Sequence, residues 1–113
     1  MSVVFINCFE VPVGREEAFL ELWAQIDSYM NVRDGFRWRR LHKSLDDGTR
    51  LRYVNVAGWD SAAQFDAAHD DGFRQLQGQP GWREFPALPA LYKVLLEDAA
   101  DGAAEDAADG AAG

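Results

Sequence analysis

The order in which hydrophobic periods follow one another constrains this chain more than any single motif. Val3, Phe5, Asn7 and Phe9 alternate with Val4, Ile6, Cys8 and Glu10, a β-branched and aromatic run with the two-residue period of a strand. Pro12 and Gly14 end it. From Arg15 to Met30 the period lengthens, with Phe19, Leu22, Trp23, Ile26, Tyr29 and Met30 recurring at three- and four-residue steps. Glu16, Glu17 and Glu21 lie toward the start, where a helix dipole favours acids. Arg33-Asp34-Gly35 is a turn, Phe36–Lys43 a second strand, Asp46-Asp47-Gly48 a hairpin turn and Leu51–Trp59 a third strand. Asp60 or Ser61 caps a second helix running to about Gln77; Gly78, Pro80 and Gly81 break it, and Trp82–Phe85 suits a short helical turn. The last strand is expected over Leu91–Glu97. The order β-α-β-β-α-β predicts an α+β, ferredoxin-like split βαβ protomer.

Two helices cover one sheet face. Val4, Ile6, Val54 and Val56 point to the other, so that face needs a partner, and face-to-face packing of two such sheets into a homodimer supplies one. The octads DAADGAAE (98–105) and DAADGAAG (106–113) are a different matter. They hold no large apolar side chain to offset the entropy of ordering, so the domain is expected over residues 1–97, followed by a disordered acidic tail.

The net charge of −8 resides mostly in that tail. It carries five acids and no base, leaving residues 1–97 at −3, with seven of the eleven bases between Arg33 and Arg52. Charges on an edge hairpin guard against sheet-to-sheet pairing. An acidic chain without a dominant basic surface does not suit nucleic acid. Cys8 is the only cysteine, which excludes an intrachain disulfide and a thiolate metal cluster. Val3–Phe9 is too short for a signal-peptide core, and no stretch approaches membrane-spanning length, so a cytoplasmic protein without membrane contact is expected.

Chemistry-bearing residues concentrate in His42–Ser61. Strand alternation places Tyr53, Asn55 and Trp59 on one face, opposite Val54 and Val56. The first strand adds Asn7. The second offers Phe36, Trp38, Arg40 and His42 or the opposite set; the grouping adopted takes Arg40 and His42 to join the asparagines. Phe65, His69 and Phe73 of the second helix cover this face. Buried amides are costly unless paired. One solution is a structural network among these side chains. The other is a pocket in which aromatic rings hold a flat ligand while amides, imidazole and indole orient it. Taken singly, His69 reads as a packing residue, Trp23, Trp38 and Trp82 as core or rim, and Cys8 as part of the apolar layer. No P-loop, Gly-rich dinucleotide turn, His-Glu-x-x-His or nucleophile elbow is present.

Residues 1–97 resemble the antibiotic biosynthesis monooxygenase superfamily of dimeric α/β barrels. The resemblance rests on VVFINCFEVPVGREE with Asn7, GF at 35–36, His42, DGT at 47–49, VN at 54–55, WDS at 59–61 and FR at 73–74, in the expected order. Cofactor-independent oxygenases of polyketide biosynthesis resemble it at His42, Asn55 and Trp59. This implies a monooxygenase that uses O2 on a flat phenolic or polyketide-like aromatic substrate, with Asn55, Trp59 and His42 catalytic. Asn7, Arg40, Tyr53, Phe65, His69 and Arg74 would contact the substrate, Arg74 matching that branch's active-site arginine. Leu41 and Phe65 stand where that branch can carry tyrosine, so a proton relay through tyrosine is not expected. Heme-degrading members share Asn7 and carry a tryptophan and an axial histidine on the second helix. Those places fall near Ala68 and Gln77, with His69 turned about 100° from position 68 on an ideal helix.

The expectation is therefore no cofactor, with a heme-binding or heme-degrading enzyme and a non-redox, cyclase-like barrel as alternatives. The chemistry follows from spin. Ground-state oxygen is a triplet, and a substrate ionised to a delocalised carbanion or phenolate supplies the electron that a metal or flavin otherwise would. Such a site needs a base, here His42, a cation for the anion, here Arg40 or Arg74, and fixed dipoles for the peroxide.

Overall fold

The computed structural model describes residues 2–100. The octad tail from residue 101 onward lies outside the described residues. Four strands, β1 (Val3–Phe9), β2 (Phe36–Lys43), β3 (Tyr53–Trp59) and β4 (Ala87–Tyr92), form one antiparallel sheet in the order β2-β3-β1-β4. Helix α1 (Glu16–Met30) and the pair α2 (Ala62–Ala68) and α3 (Asp71–Gln77) connect them, with a 3₁₀ turn over Pro80–Glu84 before β4. This is the ferredoxin-like α+β protomer.

β3 starts at Tyr53 rather than Leu51, and two expected elements differ more deeply. The second helix is two helices. Ser61 caps α2 by accepting from the Gln64 N–H, and Asp70 starts afresh by accepting from the Phe73 N–H at 3.1 Å. A mid-helix Asx side chain that captures its own N–H donors competes with the helix through it. Tyr29 fixes the break by donating its hydroxyl to Asp70 Oδ1 at 2.5 Å. The last strand spans Ala87–Tyr92 rather than Leu91–Glu97, because its partner β1 runs out: Tyr92 pairs with Val4 and Phe9 with Ala87. As an edge strand β4 tolerates Pro89.

Register turns the covered, inner face into a grid. Phe36, Trp59 and Val3 form one row; Arg39, Ala57, Phe5 and Leu91 the next; then Leu41, Asn55, Asn7 and Pro89; then Lys43, Tyr53, Phe9 and Ala87. Two apolar clusters flank the middle rows. Trp59, Ala57, Met30 and Ala68 pack at one end, and Phe9, Phe19, Tyr53 and Phe85 at the other. Phe19 is wholly buried, and enclosing such a ring contributes about 1.5–3 kcal/mol. Between the clusters the helices stand off the sheet. No helix among the described residues is long and apolar enough to cross a membrane.

A bulge in β2 sets which of its side chains join the inner face. Phe36 pairs with Trp59, but Trp38 pairs with Gly58, one residue on, so an extra residue is accommodated at Arg37. Beyond it the alternation is inverted. Arg39 and Leu41 face inward, while Trp38, Arg40 and His42 face outward with Val4, Ile6, Val54 and Val56. Gly58 makes this possible: a Cβ there would collide with the Trp38 indole.

Candidate active site

The gap between the clusters is a cavity of about 840 Å³. Its floor is Phe5, Asn7, Asn55 and Trp59, with Arg39 at one wall; Trp23 and Ile26 come from α1, and Phe65, His69 and Phe73 from the α2–α3 pair. Trp82, Phe85 and Pro86 close the end beyond Phe9. Phe and Trp rings form much of the lining. Phe65 lies 4.8 Å from Phe5 and 5.6 Å from Trp59, ring centre to ring centre, and Phe36 meets Trp59 nearly edge-on at 5.5 Å.

Several residues lining this cavity carry polar atoms that lack partners among the described residues. Asn7 Oδ1, Asn55 Oδ1, Trp59 Nε1, Trp82 Nε1 and Arg39 Nε are all buried and make no hydrogen bond among the described residues. Among the described residues only two other side-chain atoms share that condition, the Nε atoms of Arg33 and Arg52, neither of which lines the cavity. Since nearly all buried polar groups in folded proteins are paired, donors and acceptors gathered round one apolar space point to a ligand that completes them. A self-satisfied network among Asn7, Asn55 and Trp59 is not what forms.

His69 ends α2, between the Phe65 ring at 4.1 Å and the Phe73 ring at 4.4 Å. Its Nδ1 lies 2.6 Å from the Phe65 carbonyl oxygen. A carbonyl can only accept, so the Nδ1 proton is donated there, which in the neutral ring leaves the lone pair on Nε2. The packing residue read from sequence is thus also a fixed imidazole on the cavity wall.

Several expected placements are corrected. His42 and Arg40 do not join Asn55 and Trp59, because the bulge turns both outward. His42 is exposed, with Nδ1 3.1 Å from its neighbour strand's Val54 carbonyl. Arg40 is exposed and lies over the Trp38 ring at 5.6 Å. Tyr53 shares the inner face but packs against Phe19 at 5.0 Å, outside the cavity lining. Arg74 reaches the mouth, with its side chain 66% exposed and bound to Asp71 at 2.8 Å. Asn7, Asn55, Trp59, Phe65 and His69 line one space.

Arg39 and the walls built from Trp23 and Trp82 were not expected. Nothing in the local sequence separates Arg39 from Arg37 or Arg40; the bulge alone selects it. Trp82 reads from sequence as a core or rim residue opening a short helical turn, and it does lie in such a turn while lining the cavity.

Residues 2–85 match the family described as antibiotic biosynthesis monooxygenase. Among solved structures, a proposed monooxygenase from Shewanella loihica is 34% identical, with a TM-score of 0.74, over 85% of this chain and 96% of that one. SnoaB, a cofactor-independent oxygenase from Streptomyces nogalater, is 23% identical, with a TM-score of 0.72 over 85% and 95%. A heme-degrading protein of Mycobacterium tuberculosis is 24% identical, with a TM-score of 0.62 over 88% and 100%. At such identities the last two show a shared fold. No curated protein matches the chain.

Proposed function

The chain belongs to the antibiotic biosynthesis monooxygenase family, and from that premise we propose that it oxygenates a flat phenolic or polyketide-like aromatic with O2 and no cofactor. One observation carries this reading: Asn55 and Trp59, whose side-chain Oδ1 and Nε1 have no partner among the described residues, line an aromatic-walled cavity. The base in this reading is His69 rather than His42, since its Nε2 lone pair is free to take a proton at the cavity wall.

The steps balance without a further reductant. His69 Nε2 takes a proton from an acidic ring position, leaving a delocalised carbanion. The carbanion passes one electron to O2, and the resulting radical pair joins as a C–O bond, giving a peroxide anion. The imidazolium returns its proton. Where the carbon began as a methylene, loss of water leaves a carbonyl: one oxygen atom enters the product and the other leaves as water. Trp59 Nε1–H donates to the developing oxyanion, and the side-chain amides of Asn7 and Asn55 hold the substrate's own hydroxyl and carbonyl groups. The aromatic walls exclude water that would solvate the anion.

The outer face bears on assembly. Val4, Ile6, Val54 and Val56 on it, with Leu88 56% and Tyr92 50% exposed in the single chain, support a homodimer formed sheet to sheet.

Dithranol, a tricyclic phenol with an acidic methylene, tests the reaction. Oxygen uptake above the uncatalysed rate, undiminished by chelator and not requiring flavin, with the methylene converted to a carbonyl, is the expected result. Uptake equal to the protein-free rate across dithranol and related tricyclic phenols would overturn it. A heme reading stands second, because His69 offers Nε2 to a cavity with aromatic walls. A saturable Soret band at one hemin per chain, lost in His69→Ala, would put it first.

A further inference from the structure

Among the described residues Arg39 is the one guanidinium enclosed by the cavity wall, its side chain 9% exposed against 66% for Arg74 at the mouth, with Arg83 also exposed. It stands in register with Ala57, which in turn is in register with Phe5. The sheet floor beside it therefore carries only a methyl group, wholly buried, between the rows of Asn55 and Trp59. Phe36 and Trp23 hold the guanidinium carbon 5.1 and 5.4 Å from their ring centres, a cation–π arrangement.

Its hydrogen bonding is incomplete. Nη1 binds Asp27 Oδ1 on α1, and among the described residues this is the guanidinium's only hydrogen bond. Nε is buried without a partner. Burial pulls the group's pKa down, and Asp27 pulls it back only in part. A guanidinium has five N–H donors and no acceptor, so what completes it must be an oxygen with lone pairs, best an ionised one.

We propose that Arg39 is the anion anchor of the cavity: it selects flat aromatic ligands bearing an ionised oxygen, and Asp27 sets how strongly. This rests on the reading of the cavity as a site for flat aromatics. Asp27 and Arg39 together are nearly neutral, so the anchor is tuned rather than maximal. Removing the Asp27 charge leaves a bare cation facing the ligand, and removing Arg39 takes away the enclosed cation and leaves the Asp27 carboxylate, which does not favour an anion.

The probes are anthraquinone-2-carboxylate and its neutral carboxamide, with binding followed by tryptophan quenching and folding by circular dichroism. Wild-type protein is expected to prefer the carboxylate by about 10- to 100-fold, the worth of a charge-assisted hydrogen bond. Arg39→Gln should abolish that preference by weakening carboxylate binding while leaving carboxamide binding within about 3-fold. Asp27→Asn should widen the preference severalfold. Equal binding of both probes by the wild type, or a preference that survives Arg39→Gln, overturns the anchor. If Arg39→Gln does not fold, a preference that Asp27→Asn leaves unchanged overturns it. Failure of both probes to bind wild-type protein overturns the cavity reading, and the anchor with it.

Discussion

The two faces of the sheet are built from the same four strands, and they part company at the level of unpaired polar atoms. The inner face carries two asparagine amides, one indole N–H group and a guanidinium without full protein partners round one cavity. The outer face carries Val4, Ile6, Cys8, Val54 and Val56, with the cationic side chains of β2 exposed at one edge. One face is thus incomplete in hydrogen bonding and the other in apolar contact, and the two deficits call for different things. A small molecule with oxygens and a flat ring system completes the first, and a second apolar sheet completes the second.

The largest expected effect sets the faces against each other directly. Removing one fixed donor from an oxyanion site costs roughly 100- to 1000-fold in turnover. Trp59→Phe and Asn55→Ala should lower dithranol oxygenation by about that much, with the dimer intact. His42→Ala, on the outer face, should leave turnover within about 2-fold of wild type. If His42→Ala instead loses activity like the inner-face variants, the division of labour between faces is wrong.

The next effect concerns assembly. Ile6 lies on the outer face in register with Val56 and Ala90. Ile6→Lys would bury a charge without a partner between two sheets, at a cost of several kcal/mol. Light scattering at micromolar concentration should give twice the chain mass for wild type and the single-chain mass for the variant. A monomeric wild type would remove the argument from the outer face altogether.

How the faces were legible in the sequence follows from this contrast. The elements themselves come from the hydrophobic period, which local steric and burial rules write strongly: β2 carries the bounds read from sequence, β1 ends one residue before the alternation does at Glu10, and α1 differs by one residue at its start. Asn7, Asn55 and Trp59 were placed together because β1 and β3 alternate without interruption along their full pairing. Arg40 and His42 were misplaced because one bulge inverts parity, and a bulge depends on what lies across the strand pair. Here that is Gly58, 20 residues beyond Trp38, giving room to an indole. Arg39 was missed for the same reason. The break at His69–Asp70 depends on Tyr29 of another helix, and the start of β4 on where β1 ends. Each failure sits where a tertiary contact overrides a local pattern.

Gly58 gives the third test, smaller than the first two. Gly58→Ala forces its methyl into the Trp38 indole on the outer side of β3. Overpacking of this kind costs about 1–3 kcal/mol. Melting should shift down accordingly while oxygenation per folded molecule stays near wild type. Equal loss of both would mean that the bulge positions the inner site as well as the outer edge.

The smallest expected effect concerns the roof over the inner face. Tyr29 of α1 donates to Asp70 at the start of α3, and Arg33 lies over the Tyr29 ring at 3.8 Å. The Tyr29 hydrogen bond, followed by the Phe73 backbone N–H, holds the Asp70 carboxylate below its ordinary pKa of 3.8. A carboxylate with a lowered folded pKa contributes stability that is complete above its unfolded pKa and lost as pH falls through the folded one. The roof should therefore loosen in acid, below about pH 4, and not between pH 5 and 8. Tyr29→Phe removes the main cause of the lowering without adding bulk. Its melting temperature should lie slightly below wild type at pH 7, and the two should converge as the pH is lowered toward 3. Parallel melting curves across that range would show that the tyrosine hydroxyl does not distinguish the charged from the neutral carboxyl, and that the roof is held over the cavity by packing alone.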